Sequence, residues 1–188
     1  MTLSIVTTCN KDKAQVLHTP AKDVTFPLSH DVKNLISGMK DLLIELQGAG
    51  LAAPQVGADV RVIVYHVTKE ALAIREDARD VVPLTALINP TYEVIEDSDT
   101  TYDWEFCFSV LDLGGKVYRP RSILYTGYDE EGHFIKEVAH GFLARLLQHE
   151  IDHVNGLLCS RLYTEGDFYG PRDEMMAIRK KEIERSKR

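Results

Sequence analysis

Two histidines four residues apart with a glutamate beside the first, His149-Glu150-Ile151-Asp152-His153, are the side chains of this sequence best suited to hold a metal ion. On a helix turning about 100° per residue, His153 falls about 40° and Glu150 about 100° from His149. That arc also holds Phe142, Leu143, Leu146, Leu147 and Val154, so the three polar groups sit on the apolar face. Arg145, Gln148, Asp152 and Asn155 take the opposite arc and are expected to face solvent. Burying an unpaired carboxylate beside two imidazoles is costly unless something compensates it. A divalent cation does so: histidines at i and i+4 reach one ion, and the neighbouring glutamate can act as general base on a water that the ion activates. A pair of hydrogen-bonded histidines at chance spacing is the competing reading, and the apolar placement disfavours it.

The helix does not fix the third ligand, and three residues compete for it. Cys159 stands where one class of HExxH proteases carries a third histidine, and Glu174 lies downstream as the carboxylate of other zinc proteases does. Cys107 lies upstream, in Glu105-Phe106-Cys107-Phe108-Ser109, within a strand-like stretch from Trp104 to Val110. A further segment, Gly48-Ala49-Gly50-Leu51-Ala52-Ala53-Pro54-Gln55, has two glycines one residue apart, which suggests unusual backbone dihedrals or close approach by a ligand. Gln55 could present an amide N–H to a developing oxyanion. Read alone, the same segment is a glycine-stopped helix followed by a loop.

Positioning these groups needs a folded core, and the composition supports one. The chain has 188 residues, 44% hydrophobic and 27% charged, as expected for one compact domain spanning residues 1–188. A net charge of -7 argues against a broad phosphate-binding face and against specific DNA binding. No apolar run is long enough for a membrane span, and the first ten residues lack a secretory pattern, so the expected location is cytoplasmic. Three cysteines, Cys9, Cys107 and Cys159, fit a reducing compartment better than a disulfide framework.

The apolar spacing predicts an amphipathic helix over Asp31–Gln47 with Gly48 as its stop. Strands are expected over Val60–Val67, Leu84–Asn89, Tyr92–Ile95 and Ile123–Tyr128, then a hairpin turn into Phe134–Val138. The motif helix should span Gly141–Leu157. Pro171 precedes a polar helix over Arg172–Arg188, expected to be exposed, which carries seven Lys/Arg against four acids.

Taken together, the three motif segments resemble those of the peptide deformylases, which carry G-x-G-L-A-A-x-Q, E-G-C-L-S and Q-H-E-x-D-H in that order. The first matches Gly48–Gln55 and the third Gln148–His153 at every defined position. The resemblance runs from about Val16 to Leu162 and includes Ile88-Asn89-Pro90, Arg119 and Gly156-Leu157-Leu158. It implies an α+β fold in which antiparallel strands surround the motif helix, with an amphipathic helix near the N-terminus and a polar one at the C-terminus. It implies Cys107, His149 and His153 as metal ligands, Glu150 as the acid/base, and Gln55 with the backbone N–H of Phe108 as the oxyanion donors. Ala49, Gly50, Phe106, Phe108 and Leu146 would line the substrate site. The implied ion is Fe²⁺ in the cell, with Zn²⁺, Ni²⁺ or Co²⁺ able to replace it. The implied reaction removes the formyl group from N-terminal formylmethionine of nascent polypeptides and releases formate, and the basic C-terminal helix is similar to ones that touch the ribosome.

The middle motif departs from the family pattern. Phe106 replaces its glycine and Phe108 its leucine, while Leu111 and Gly114 replace a proline and a peptide-contacting arginine. A phenylalanine there either points away from the cleft or reshapes its rim. Two alternatives accompany this reading: a zinc peptidase using Cys159 or Glu174, and a deformylase-like protein with altered substrate or a non-catalytic peptide- or ribosome-binding role.

Overall fold

The Ser29 hydroxyl accepts a hydrogen bond from the Val32 N–H at 3.3 Å and opens α1, His30–Glu45. In this computed structural model, which describes residues 3–75, 77–164 and 167–186, α1 buries Ile36, Met39 and Leu43. Its end differs from expectation, because Gln47 takes the left-handed conformation at φ 52°. The N–H groups of Gln47 and Gly48 return to the carbonyls of Ile44 and Leu43, which closes the helix before the glycine is reached.

Short strand β1, Gly50–Ala52, follows, then a turn of 3-10 helix over Ala53–Val56, strand β2, Val62–Val67, and a single helical turn α2, Lys69–Leu72. The two strands expected at Leu84–Asn89 and Tyr92–Ile95 are one long strand, β3, Val82–Val94. Its register shifts between Ile88 and Thr91, where Asn89 has φ 50° and its side chain bonds both backbone groups of Val24 at 2.8 Å. Strands β4, Thr100–Cys107, and β5, Val110–Pro120, form a hairpin, and β6, Ser122–Tyr128, pairs with β7, Phe134–His140, around the expected turn. The motif helix α3, Gly141–Val154, is followed by a 3-10 turn at Cys159–Leu162, strand β8, Tyr169–Pro171, and α4, Arg172–Ser186. Residues 187 and 188 of the expected last helix lie outside the described residues.

The strands form two antiparallel sheets, ordered β1-β2-β3-β6-β7 and β4-β5-β8, and α3 packs against strands of both. Ile63, Leu87, Ile123, Leu147 and Ile151 meet between α3 and the larger sheet, whose other face α1 covers through Ile36, Met39 and Leu43. This is the expected α+β architecture around a central motif helix. No helix among the described residues is long and apolar enough to cross a membrane.

Two expectations about exposure are corrected. Arg145, Gln148 and Asp152 are not on a solvent face, with exposures of 2%, 1% and 5%, and only Asn155 of that arc is exposed. The smaller sheet covers the arc assigned to water. Nor is α4 simply solvated, because Met175 is buried and Trp104 Nε1 donates to Glu182 Oε2 at 2.6 Å.

Candidate metal centre and active site

The ligand atoms of Cys107, His149 and His153 lie within 4.8 Å of one another. Cys107 is the last residue of β4, at the mouth of the two-residue turn Phe108-Ser109, while the histidines come from one face of α3. His153 Nε2 lies 3.2 Å from Cys107 Sγ, and the Ser109 N–H donates to the same sulfur at 3.4 Å. Burial opposes ionisation of Cys107, but hydrogen bonding from Cys159 and the two nearby imidazoles outweigh it and hold the thiol well below its usual range. Soft thiolate with two imidazoles is a donor set for a first-row divalent ion with a coordination position left open.

Each ligand is held from behind. Glu105 Oε2 faces His149 Nδ1 at 2.9 Å, which leaves Nε2 for the sulfur side. The same carboxylate accepts from Arg119 Nε and Nη2 at 2.9 and 3.0 Å and from Arg145 Nη1 at 2.8 Å. Arg119 Nη1 continues to Asp152 at 2.5 Å, and Tyr92 donates to the other oxygen of that carboxylate. Arg172 of α4 donates to the carbonyls of Cys107 at 2.7 Å and Val110 at 3.1 Å, fixing the turn.

Glu150 is 3% exposed, and its Oε2 has no hydrogen-bond partner among the described residues. Desolvation pushes its carboxyl up to about 7, against the attraction of the two imidazoles. A Cβ on Gly50 would lie 2.4 Å from Glu150 Oε1, and one on Gly48 would lie 2.7 Å from the Phe108 ring. Neither glycine has positive φ. The paired glycines are therefore explained by close approach, and the groups that approach are the chain's own side chains. Gln55, 2% exposed, accepts from the Ala52 N–H at 2.9 Å through Oε1. Its amide nitrogen is thereby aimed into the site, 3.4 Å from Cys107 Sγ.

A cavity of about 800 Å³ opens beside this cluster. Gln55, Cys107, His149 and Glu150 line it, as do all five residues expected at the substrate site, Ala49, Gly50, Phe106, Phe108 and Leu146.

The family model described as polypeptide deformylase matches residues 4–165. The chain belongs to the peptide deformylase family. Peptide deformylase 2 of Rickettsia conorii is 37% identical over 187 residues, covering 95% of this chain and 89% of that protein. Peptide deformylase 2 of Ralstonia nicotianae is 42% identical over 138 residues, covering 73% and 76%. A crystal structure of the class I type b peptide deformylase of Acinetobacter baumannii with Met-Ala-Ser bound superposes with a TM-score of 0.73 at 27% identity, covering 87% of this chain and 99% of that one. The family's known activity is metal-dependent deformylation, and its members are enzymes.

Against the family pattern, the altered middle motif has a steric logic. Any Cβ at position 114 would lie 2.4 Å from Phe106 Cε1 and 2.5 Å from its Cδ1. With phenylalanine at 106 as placed here, any side chain at 114 would force the ring to shift, so the two departures are sterically coupled. The Phe106 ring stacks on Trp104 with centroids 5.8 Å apart, and the guanidiniums of Arg172 and Arg179 lie 5.6 and 5.7 Å from it. The aromatic group thus both packs on the sheet and forms part of the rim.

The rival ligands are placed differently. Glu174 is exposed on α4 and belongs to none of the ligand clusters among the described residues. Cys159 is buried and comes within 4.8 Å of Glu105 and His149, but Glu105 is already engaged by two arginines and a histidine. What sequence reasoning missed is the supporting layer of Glu105, Arg145 and Asp152. Period-two alternation in β4 could have found the first, since Glu105 shares a strand face with Cys107 while Trp104 and Phe106 share the other.

Proposed function

We propose that this chain hydrolyses the formamide of N-terminal formylmethionine on nascent peptides, releasing formate and a free amino terminus. The observation that carries it is the clustering of Cys107, His149 and His153 beside the unpartnered Glu150 carboxylate and the oriented Gln55 amide. The orphaned carboxylate oxygen and the soft Cys/His₂ donor set fit a divalent metal held by those three ligands. When bound, such an ion supplies acidification of water and polarisation of the formyl oxygen.

The chain's own residues do the rest. Glu150 takes the proton of the attacking water and delivers it to the methionine nitrogen as the C–N bond breaks. Its raised pKa suits it to hold that proton near neutral pH. Gln55 Nε2, with the backbone N–H of Phe108 beside it in the turn, donates to the formyl oxygen as negative charge develops there. The apolar parts of Leu146, Phe108 and Ala49 exclude water from the methionine side chain. Residues 1–188 act as one catalytic unit, a reading supported by the grip of Arg172 on the Cys107 carbonyl.

Iron is the ion proposed for the cell, because Cys/His sites accept several first-row metals and availability decides among them. A cytoplasmic location and ribosome contact through the exposed Lys180, Lys181 and Arg185 of α4 complete the reading.

Formate release from a formylmethionyl peptide, with anaerobically iron-loaded or nickel-loaded protein, tests it. Glu150→Ala should keep one metal per chain and lose at least about a hundredfold in kcat. Near-normal turnover in that variant would remove Glu150 from the mechanism.

A further inference from the structure

Part of the cavity wall is built by the segment after α2 and by α4, through Ile74, Arg75, Met176 and Arg179. A second hollow of about 380 Å³ shares Ile74, Met176 and Arg179 and continues along α4 past Lys180 and Ile183. The two hollows adjoin at these three shared residues. Ile74 and Met176, 43% and 48% exposed, give the junction apolar sides. Arg179 stands where the hollows join.

Three arginines line the main cavity, and two of them are engaged. Arg75 pairs with Asp103 at 2.6 Å, and Arg145 with Glu105 at 2.8 Å. Arg179 has its guanidinium face on the Phe106 ring and, among the described residues, neither an ion pair nor a hydrogen bond. Burial lowers its pKa to about 10, so it stays charged at neutral pH while partly stripped of water. A desolvated guanidinium with its donors unused gains most from an anion that arrives with the ligand, above all a carboxylate it can hold in bidentate fashion.

We propose that Arg179 is a specificity-determining residue that selects formylated peptides bearing a carboxylate downstream of the methionine, the chain leaving the cavity between Ile74 and Met176. This rests on the deformylase reading for the direction of the peptide. Arg172 is no substitute, since it lines neither hollow and its Nη1 is held by the carbonyls of Cys107 and Val110. Lys180 and Glu184 also line the second hollow, one adding positive and the other negative charge.

The test uses metal-loaded full-length protein and amide-capped formyl-Met tetrapeptides of alanine with a single Glu or Lys at the second, third or fourth position. The wild-type ratio of kcat/KM for Glu over Lys should reach about tenfold at one position, the scale of one charge-assisted hydrogen bond. Arg179→Gln should bring that ratio near one, and Arg179→Glu should invert it. A parallel neutral peptide with a free C-terminal carboxylate separates an acidic side chain from a chain terminus as the source of the anion. Unformylated, dye-labelled versions of the peptides binding to Glu150→Gln protein give the same ratio as dissociation constants. Absence of formate from every peptide would therefore defeat the deformylase reading while leaving this preference measurable. A wild-type ratio near one at every position and for the free acid, or a ratio unchanged in Arg179→Glu, overturns the proposal.

Discussion

The coupled change at positions 106 and 114 makes a quantitative prediction. In Gly114→Ala the new methyl would sit 2.4 Å from Phe106 Cε1, whereas ordinary contact begins at 3.4 Å, so the ring must move by about 1 Å. Trp104 stacks on it from one side and Arg172 and Arg179 crowd its other surroundings, which makes that movement expensive. Overpacking of this kind costs about 1–3 kcal/mol. Against it, alanine at a position without positive φ reduces the freedom of the unfolded chain and contributes about 0.4–1 kcal/mol of stability. The net expectation is a loss of about 1–2 kcal/mol. In a Phe106→Ala background the clash is gone, so Gly114→Ala should become mildly stabilising, and the coupling energy of the cycle should reach about 1–3 kcal/mol. Urea unfolding at fixed saturating nickel, followed by the fluorescence of the single tryptophan, measures it. Effects that add within about 0.5 kcal/mol would refute the steric argument.

Gly50→Ala places a methyl 2.4 Å from Glu150 Oε1 and should lower kcat by about a hundredfold while metal content stays at one per chain, as read by metal analysis beside formate release. Cys107→Ser should lose tightly held metal in the same analysis, whereas Cys159→Ser should retain it, since only Cys107 shares a cluster with both histidines. Metal loss confined to the Cys159 variant would instead favour the peptidase ligand set.

The sequence made the histidine pair of the candidate metal cluster legible because its information is local. Spacing of four on a helix places His149 and His153 together whatever the helix packs against, and the burial of Glu150 followed from its apolar neighbours. The edges of α1 were less legible, because Gln47 rather than Gly48 takes the left-handed turn, a choice fixed by where the chain must go next to reach β1. Strand β5 escaped notice because Gly114 and Gly115 interrupt any strand pattern. Their reason is nonlocal: side chains at those positions would strike Phe106 and Tyr169. The polar arc of α3 misled for a related reason. A helix projection assumes one buried face, and α3 lies between two sheets.

Charge bookkeeping across that interior explains why the misread residues belong with the metal. The buried acidic, basic and thiol groups among the described residues are Glu105, Glu150, Asp152, Arg119, Arg145, His153, Cys107 and Cys159. Arg119 and Arg145 neutralise Glu105 and Asp152, two against two, through contacts between 2.5 and 3.0 Å. Burial of four charges is tolerable only when they are matched in this way and their hydrogen bonds are filled. The match leaves the Cys107 thiolate and the Glu150 carboxyl beside two imidazoles, with no arginine or lysine among the described residues paired to either. A divalent ion at the Cys107, His149 and His153 cluster would meet that thiolate, and would meet the Glu150 carboxylate whenever it is ionised. The arginine and carboxylate layer therefore does more than orient His149: by neutralising itself it leaves the Cys107 thiolate free to meet a cation.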